Sequence, residues 1–452
     1  MSLDTASAAL DAEIFELGRR LARRRPSRGA AARAGRDRAM ALASRDPQVR
    51  AALFRLVDVA PACSTPAELA EHLEALLADV DEPTHAVRLA TDAAGGLLAP
   101  AVGRLAAAAV HQMAGAFIVG ESPRAASSAL RRLWSHGAAV TVDLLGEATV
   151  TREEGRAYAA ACDAALCTLA GEAARWPKQP LLERDGAGAL PRVNLSLKVT
   201  ALTPLVRPQA PERGREDAAE LLRALLRRAA EVGAHLHVDM ESLDSREMVF
   251  ELVMEVLGER EFAAGPSAGI VLQTYLRDSE QMLERVLEWS RASARTPPLT
   301  VRLVKGAYWD HETIEAARSG WQPPVFTDKA DSDRSFERLT RRLIDAWAGE
   351  RLVRPAIASH NLRSLAHAVV YARHAGLASA DFELQVLRGL GDDLQESLTA
   401  EGLRARVYCP VGNLVAGMAY LVRRLLENTS NDSFLASRVS GGATLDELLA
   451  PP

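Results

Sequence analysis

Tyr420, Arg423, Arg424 and Glu427 stand at i, i+3, i+4 and i+7 within the apolar, helix-forming stretch from Asn413 to Asn428. That spacing puts a phenol, two guanidiniums and a carboxylate on one helix face. Paired guanidiniums suit planar, bidentate recognition of a carboxylate or a phosphate. Taken alone, the stretch also fits a solvated face carrying an Arg–Glu pair. A second group of candidates is Lys198, Arg302 and Lys305, with Tyr275, Tyr308 and Tyr408 near them in the sequence pattern. Such a surplus of positive charge asks for two anionic partners, a small carboxylate and a phosphate-bearing cofactor, with aromatic walls for a flat ring. A third candidate is His235-Leu236-His237-Val238-Asp239. Its period of two puts both imidazoles and the carboxylate on one strand face, as a metal-dependent hydrolase would need. Further strand-end ligands are scarce, with His360 the only other strand-end histidine, so His235 and His237 read as structural.

Holding these groups together requires a particular succession of elements. Residues 1–130 are rich in Ala, Leu and Arg and show helical periodicity without strands, with helices expected at Ala8–Arg24, Pro47–Val59, Thr65–Leu77 and Leu105–Val119. Short β-rich runs alternate with helical stretches from there on: Ala139–Leu145, Val193–Leu197, Leu236–Met240, Ile270–Tyr275, Thr300–Val304, Ala356–Ser359, Phe382–Val386 and Arg406–Cys409. Eight such units over about 290 residues predict an α/β fold, a (β/α)8 TIM-type barrel preceded by an N-terminal helical arm. The expected division is an arm over 1–130, a barrel over 131–440 and a tail over 441–452. An open doubly wound sheet is the alternative, but no run is followed by a GxGxxG turn.

The polar residues fall at the ends of these runs. Asp143 and Glu147 go with the first, Lys198 with the second, Asp239 and Glu241 with the third, Gln273 and Tyr275 with the fourth. Arg302 and Lys305 close the fifth, His360 and Asn361 the sixth; Arg388 follows the seventh and Tyr408 lies in the eighth. Chemistry in such barrels collects at the C-terminal strand ends. Lys198, Arg423 and Arg424 can therefore converge on one anion. Other chemistries find less support. Gly389-Leu390-Gly391 reads as a turn, no GxSxG elbow stands out, and Asp392-Asp393 reads as a solvated loop.

Composition bounds the function. With 452 residues, 48% hydrophobic and 25% charged, the chain is ordinary for a globular protein, and a net charge of −5 argues against a general nucleic-acid binder. The Arg-rich segment from Arg19 to Arg38 reads as solvated. Four cysteines without CxxC spacing fit a reducing compartment. No secretory signal and no run of about 18 apolar residues is visible, so the chain reads as cytoplasmic, able to rest on a membrane surface.

Several segments match a known family in order: Leu195–Lys198, His237–Glu241, Val271–Tyr275, Val301–Trp309, Ser359–Asn361, Phe382–Gly389, Arg406–Gly412 and Tyr420–Asn428, followed by Ser433-Phe434. From about Asp143 to Phe434 the sequence resembles the flavin-dependent proline dehydrogenase domain of bacterial proline utilization A proteins. The resemblance implies noncovalent FAD at the barrel mouth, hydride transfer from C5 of L-proline to flavin N5, and pyrroline-5-carboxylate as product. A membrane quinone would reoxidise the flavin at the inner membrane surface, and a pyrroline-5-carboxylate dehydrogenase would be a partner. By similarity, Arg423, Arg424 and Lys198 hold the substrate carboxylate, Tyr308, Leu387, Tyr408 and Tyr420 wall its ring, and Glu147 pairs with an arginine as a lid. Asp239 corresponds to the active-site carboxylate and Arg302 to the cation near N5. Met240, Gln273, Lys305, Gly306, Ala307, Thr327, Ser359, His360 and Glu427 correspond to flavin contacts, with Lys329 beside Thr327. The chain reaches Pro452 without the aldehyde dehydrogenase domain or the ribbon-helix-helix segment of some relatives, which leaves a monofunctional enzyme and a piece of a bifunctional one as the two readings.

Overall fold

The computed structural model describes residues 3–23, 47–81, 98–146, 149–413 and 444–452, together with 88, 91, 92, 94–96 and 417. Its first helices are α1 (Leu3–Arg23), α2 (Pro47–Val59), α3 (Pro66–Ala78), α4 (Ala99–Phe117) and α5 (Pro123–Ser135). These follow the helical periodicity of the sequence closely. Capping fixes their starts: the Thr65 side chain accepts from the Glu68 amide while Glu68 reaches back, a capping box with Pro66 in the first turn.

All eight expected strands form: β1 (Ala138–Leu144), β2 (Asn194–Leu197), β3 (His235–Val238), β4 (Ser267–Gln273), β5 (Leu299–Val304), β6 (Val353–Ala358), β7 (Glu383–Leu387) and β8 (Ala405–Val411). They are parallel and close in the order β1-β8-β7-β6-β5-β4-β3-β2. Closure is direct, Val140 pairing with Val407 on one side of β1 and Val142 with Leu195 on the other. Every residue of β1 is buried, as expected of a parallel strand covered on both faces.

Helices α6 (Arg152–Ala173), α7 (Pro211–Val232), α8 (Leu243–Leu257), α9 (Ser279–Ala292), α10 (Trp309–Ser319), α11 (Lys329–Glu350), α12 (Leu362–His374) and α13 (Asp392–Ala400) follow the strands, and α14 (Leu445–Leu449) comes last. Helix α7 shows why they pack: Gly214, Ala218, Leu222, Leu225 and Ala229 form one buried stripe. Gly233 then stops the helix at φ 67°, a conformation that costs glycine nothing.

Helix α1 carries more than solvated arginines. Ile14, Leu17 and Leu21 are buried in the same core as the barrel, and Asp11 accepts from Arg363 Nη2 of α12 at 2.8 Å. The apolar stripe of α1 at helical spacing faces the core, while Arg19 and Arg20 stay exposed at the rim, Arg19 donating to Asp446 at 2.8 Å. Helices α2, α3 and α4 instead share a separate small core of Ala52, Leu56, Leu69, Leu73 and Leu77. Asp392 departs from the solvated loop expected of it: it is buried in the first turn of α13, accepting from the Gly389 amide at 3.0 Å.

Candidate active site

Strand alternation decides which polar side chains enter the barrel. On β2, Ser196 and Lys198 share a face. On β3, His235, His237 and then Asp239 do. Asp239, just beyond the C-terminal end of β3, is the hub. Its Oδ1 accepts from Arg302 Nη1 of β5 at 2.6 Å and from Ser196 Oγ at 2.7 Å, and its Oδ2 accepts from the Tyr408 hydroxyl of β8 at 2.7 Å. The Arg302 guanidinium also lies over the Tyr408 ring, 5.3 Å from its centre. Four strands thus contribute to one cluster at the mouth.

Arg302 is 4% exposed, and its Nε donates to Gln385 Oε1 at 2.7 Å. Its remaining nitrogen, Nη2, is buried without a protein partner among the described residues. Lys198 joins from the side, its Nζ donating to Asp143 Oδ1 of β1 at 2.7 Å. Burial opposes the lysine charge, but Asp143 and Asp239 together raise its pKa above the ordinary value, so it is cationic. Burial pushes the Asp143 carboxyl up and Lys198 pulls it back.

A second cluster lies at the end of β5. Lys305 donates to Asp333 of α11, which also pairs with Lys329 at 2.8 Å. Burial draws the Lys305 pKa down while Asp333 supports its charge. The next residue, Gly306, has φ 139°, and a Cβ there would run into the Tyr275 ring. Gln273 donates to the Glu241 carbonyl at 2.8 Å, while its Oε1 is buried without a partner among the described residues. His360 accepts the Leu387 amide at 2.9 Å, and Ser359 Oγ accepts the Asn361 amide at 3.0 Å. Met240 and Ala307 are half-buried, Tyr308 caps α10, and Thr327 is exposed ahead of α11.

The His235 and His237 side chains bond to each other and to a serine. His235 Nε2 faces His237 Nδ1 at 3.1 Å, and His235 Nδ1 meets Ser267 Oγ at 2.8 Å. Burial, with Arg406 and Arg302 nearby, holds both imidazoles well below their usual pKa, hence neutral. No group of three His, Cys, Asp or Glu side chains among the described residues is placed to hold a metal ion.

The model of the family described as Proline dehydrogenase matches residues 126–437, more than half of the chain. The chain belongs to the proline dehydrogenase family. A second family description, Proline utilization A N-terminal domain, matches residues 11–117. The bifunctional protein PutA of Salmonella typhimurium is 31% identical over 351 residues, covering 76% of this chain and 25% of that protein. Proline dehydrogenase of Deinococcus radiodurans is 29% identical over 343 residues, 76% of this chain and 95% of that one. The crystal structure of proline utilization A from Bdellovibrio bacteriovorus, inactivated by N-propargylglycine, superposes with a TM-score of 0.85 at 33% identity, covering 98% of this chain and 44% of that one. The chain thus spans a quarter of the length of the first bifunctional relative, and the (β/α)8 barrel is the fold it shares with this family.

Of the residues expected at a proline dehydrogenase site, Asp239, Arg302 and Tyr408 are in direct contact, with Lys198 beside them through Asp143. Lys305, Gly306 and Gln273 stand at neighbouring strand ends. Glu147, Tyr420, Arg423, Arg424 and Glu427 lie outside the described residues. Ser196, Gln385 and Asp333 enter the clusters without having been singled out. Ser196 and Gln385 were legible only as residues two positions before Lys198 and Leu387 on the same strand face. Asp333, on a distant helix, carried no signal.

Proposed function

We propose that this chain is an FAD-dependent L-proline dehydrogenase, catalysing the first step of proline catabolism. The observation that carries the reading is Arg302, a guanidinium clamped at a barrel mouth by Asp239 and Gln385 with one buried nitrogen left over, in a chain of this family. The residues fit a flavin: the spare Arg302 Nη2 and Gln273 Oε1 are a donor and an acceptor awaiting a polar ring edge. Bound there, the flavin supplies at N5 the acceptor for the hydride leaving C5 of proline, with pyrroline-5-carboxylate as product.

The side chains do the rest. Arg302 presents positive charge where electron density arrives, in surroundings too dry to screen it. Asp239 fixes Arg302 and the Tyr408 hydroxyl together. Lys198, with Arg423 and Arg424, holds the substrate carboxylate. Tyr308, Leu387, Tyr408 and Tyr420 wall the pyrrolidine ring and exclude water, and Glu147 closes over it. Met240, Gln273, Lys305, Gly306, Ala307, Thr327, Ser359, His360 and Glu427 contact the cofactor. A membrane quinone is the final electron acceptor, met from the cytoplasmic side of the inner membrane; no helix among the described residues is long and apolar enough to cross one. A pyrroline-5-carboxylate dehydrogenase takes the product. The division into an arm over 1–130, a barrel over 131–440 and a tail is supported by the family matches to 11–117 and 126–437.

The test is anaerobic addition of L-proline to the purified protein. A yellow protein whose visible flavin absorbance bleaches supports the reading; a flavin that proline leaves oxidised, or a protein that takes up none, refutes it.

A further inference from the structure

Barrel interiors are usually filled by branched aliphatic side chains. Below Arg302 this one is polar. Arg302 Nε donates to Gln385 Oε1 at 2.7 Å, Gln385 Nε2 donates to Glu383 Oε1 at 2.7 Å, and Glu383 accepts from Arg406 Nε at 2.7 Å and Arg404 Nε at 3.3 Å. All five side chains are more than nine-tenths buried. The two lower arginines are tied to the wall, Arg406 Nη1 to the Val140 carbonyl at 2.7 Å and Arg404 Nη1 to the Ala380 carbonyl at 2.5 Å. Taking such charges out of water costs several kcal/mol each, so the spine is an expensive way to fill space.

Its geometry has a specific effect. A glutamine amide can turn either its oxygen or its NH2 toward a neighbour. Glu383, ionised because Arg406 and Arg404 outweigh the burial that opposes its charge, only accepts hydrogen bonds. It therefore takes the NH2 of Gln385 and leaves the amide oxygen for Arg302. Asp239 and Ser196 hold Nη1 of the same guanidinium. Because the group is planar, fixing Nε and Nη1 fixes the direction of Nη2, the nitrogen without a protein partner among the described residues.

We propose that Gln385, oriented by Glu383, is a positioning residue of the oxidation, holding Arg302 in the plane that presents Nη2 to the reduced cofactor. The proposal rests on the flavin reading above. Two carboxylate-side contacts alone would let the guanidinium swing about its Nη1 end. The neutral amide stops this from the opposite edge without cancelling more of the arginine's charge.

Gln385→Met decides the matter, since it keeps the length and the apolar fill of the side chain and removes both hydrogen bonds. Parent and variant are compared as flavin-loaded proteins by midpoint potential, by anaerobic stopped-flow reduction with proline and by thermal unfolding. The expected variant keeps its flavin content, and its proline KM stays within about twofold. Its flavin reduction slows about tenfold or more, and the reduced flavin is disfavoured about tenfold, a midpoint lowered by about 30 mV for a two-electron couple. A variant with parental potential and parental reduction rate overturns the proposal. So does one that loses flavin and thermal stability together with rate, which is the mark of simple packing. Glu383→Gln should lower the potential in the same direction, but it strips Arg404 and Arg406 of their counter-charge and can fail to fold, so Gln385→Met remains decisive. A parent protein that proline does not bleach overturns the flavin reading and the proposal with it, and that failure appears before any variant is made.

Discussion

Asp239 is where the mouth is held together, one carboxylate engaging an arginine, a serine and a tyrosine from three other strands. Removing one partner of a buried pair strands the other, at about 3–5 kcal/mol. Asp239→Ala should therefore lose stability of that order in denaturant unfolding. It should also slow flavin reduction about 100-fold, as expected when a group that organises transition-state charge is lost; a stable variant with parental turnover would contradict the hub role. Glu383 makes a pH prediction. Its folded pKa is depressed, so the stability it contributes is complete above the ordinary carboxylate value of about 4.3 and drains away as pH falls below it. A folded Glu383→Gln variant should trail the parent at pH 7 and converge on it in acid; a gap that widens on acidification would reverse the sign. His235 and His237 bond to each other and to Ser267, with no third ligand placed beside them among the described residues, so dialysis against a strong chelator should leave the proposed proline oxidation unchanged; a chelator-sensitive activity would reopen the metal reading.

Among the elements, α1 offers the sharpest test, because its periodicity shows a helix but not what that helix packs against. Its arginines are conspicuous in the sequence, yet Ile14, Leu17 and Leu21 decide where it lies. Leu17 is 1% exposed, and Leu17→Ala should cost about 2–5 kcal/mol by lost burial and the cavity left behind. The barrel strands themselves were all legible, their ends within three residues, since parallel strands buried on both faces are short apolar runs between helices. Strand ends were legible as well, because Lys198, Asp239, Arg302 and Tyr408 break that pattern at fixed positions. Ser196 and Gln385 were not, since a small polar residue or an amide inside a strand reads as tolerated filling until its partner across the barrel is known. Glu383, Arg404 and Arg406 were passed over for the same reason: they begin their strands, where polar residues are commonplace.

At the scale of the whole molecule, two of the apolar cores among the described residues differ sharply in size. The large one runs through the barrel and takes in α1; the small one is confined to α2, α3 and α4. Small cores sustain less stability, so local opening should be uneven. Hydrogen exchange in mild denaturant should release the amides of 47–117 before those of the barrel strands, with α1 staying protected alongside the barrel. Release of α1 together with α2–α4 would mean that the arm behaves as one unit. The change from helical periodicity to recurring strands after residue 130 was visible in the sequence, but the surface on which α1 packs was not. That surface is made by a helix some 350 positions later, and no local pattern encodes so distant a match.

That distance has a consequence on the ribosome. Helix α1 is made before the barrel, and its docking partner α12, which brings Arg363 to Asp11, is made some 350 residues later. At about 5–20 residues per second, synthesis of the intervening chain takes roughly 20–70 s. For that interval the stripe of Ile14, Leu17 and Leu21 lacks the barrel surface that covers it in the folded chain, so it stays exposed to water until the barrel closes.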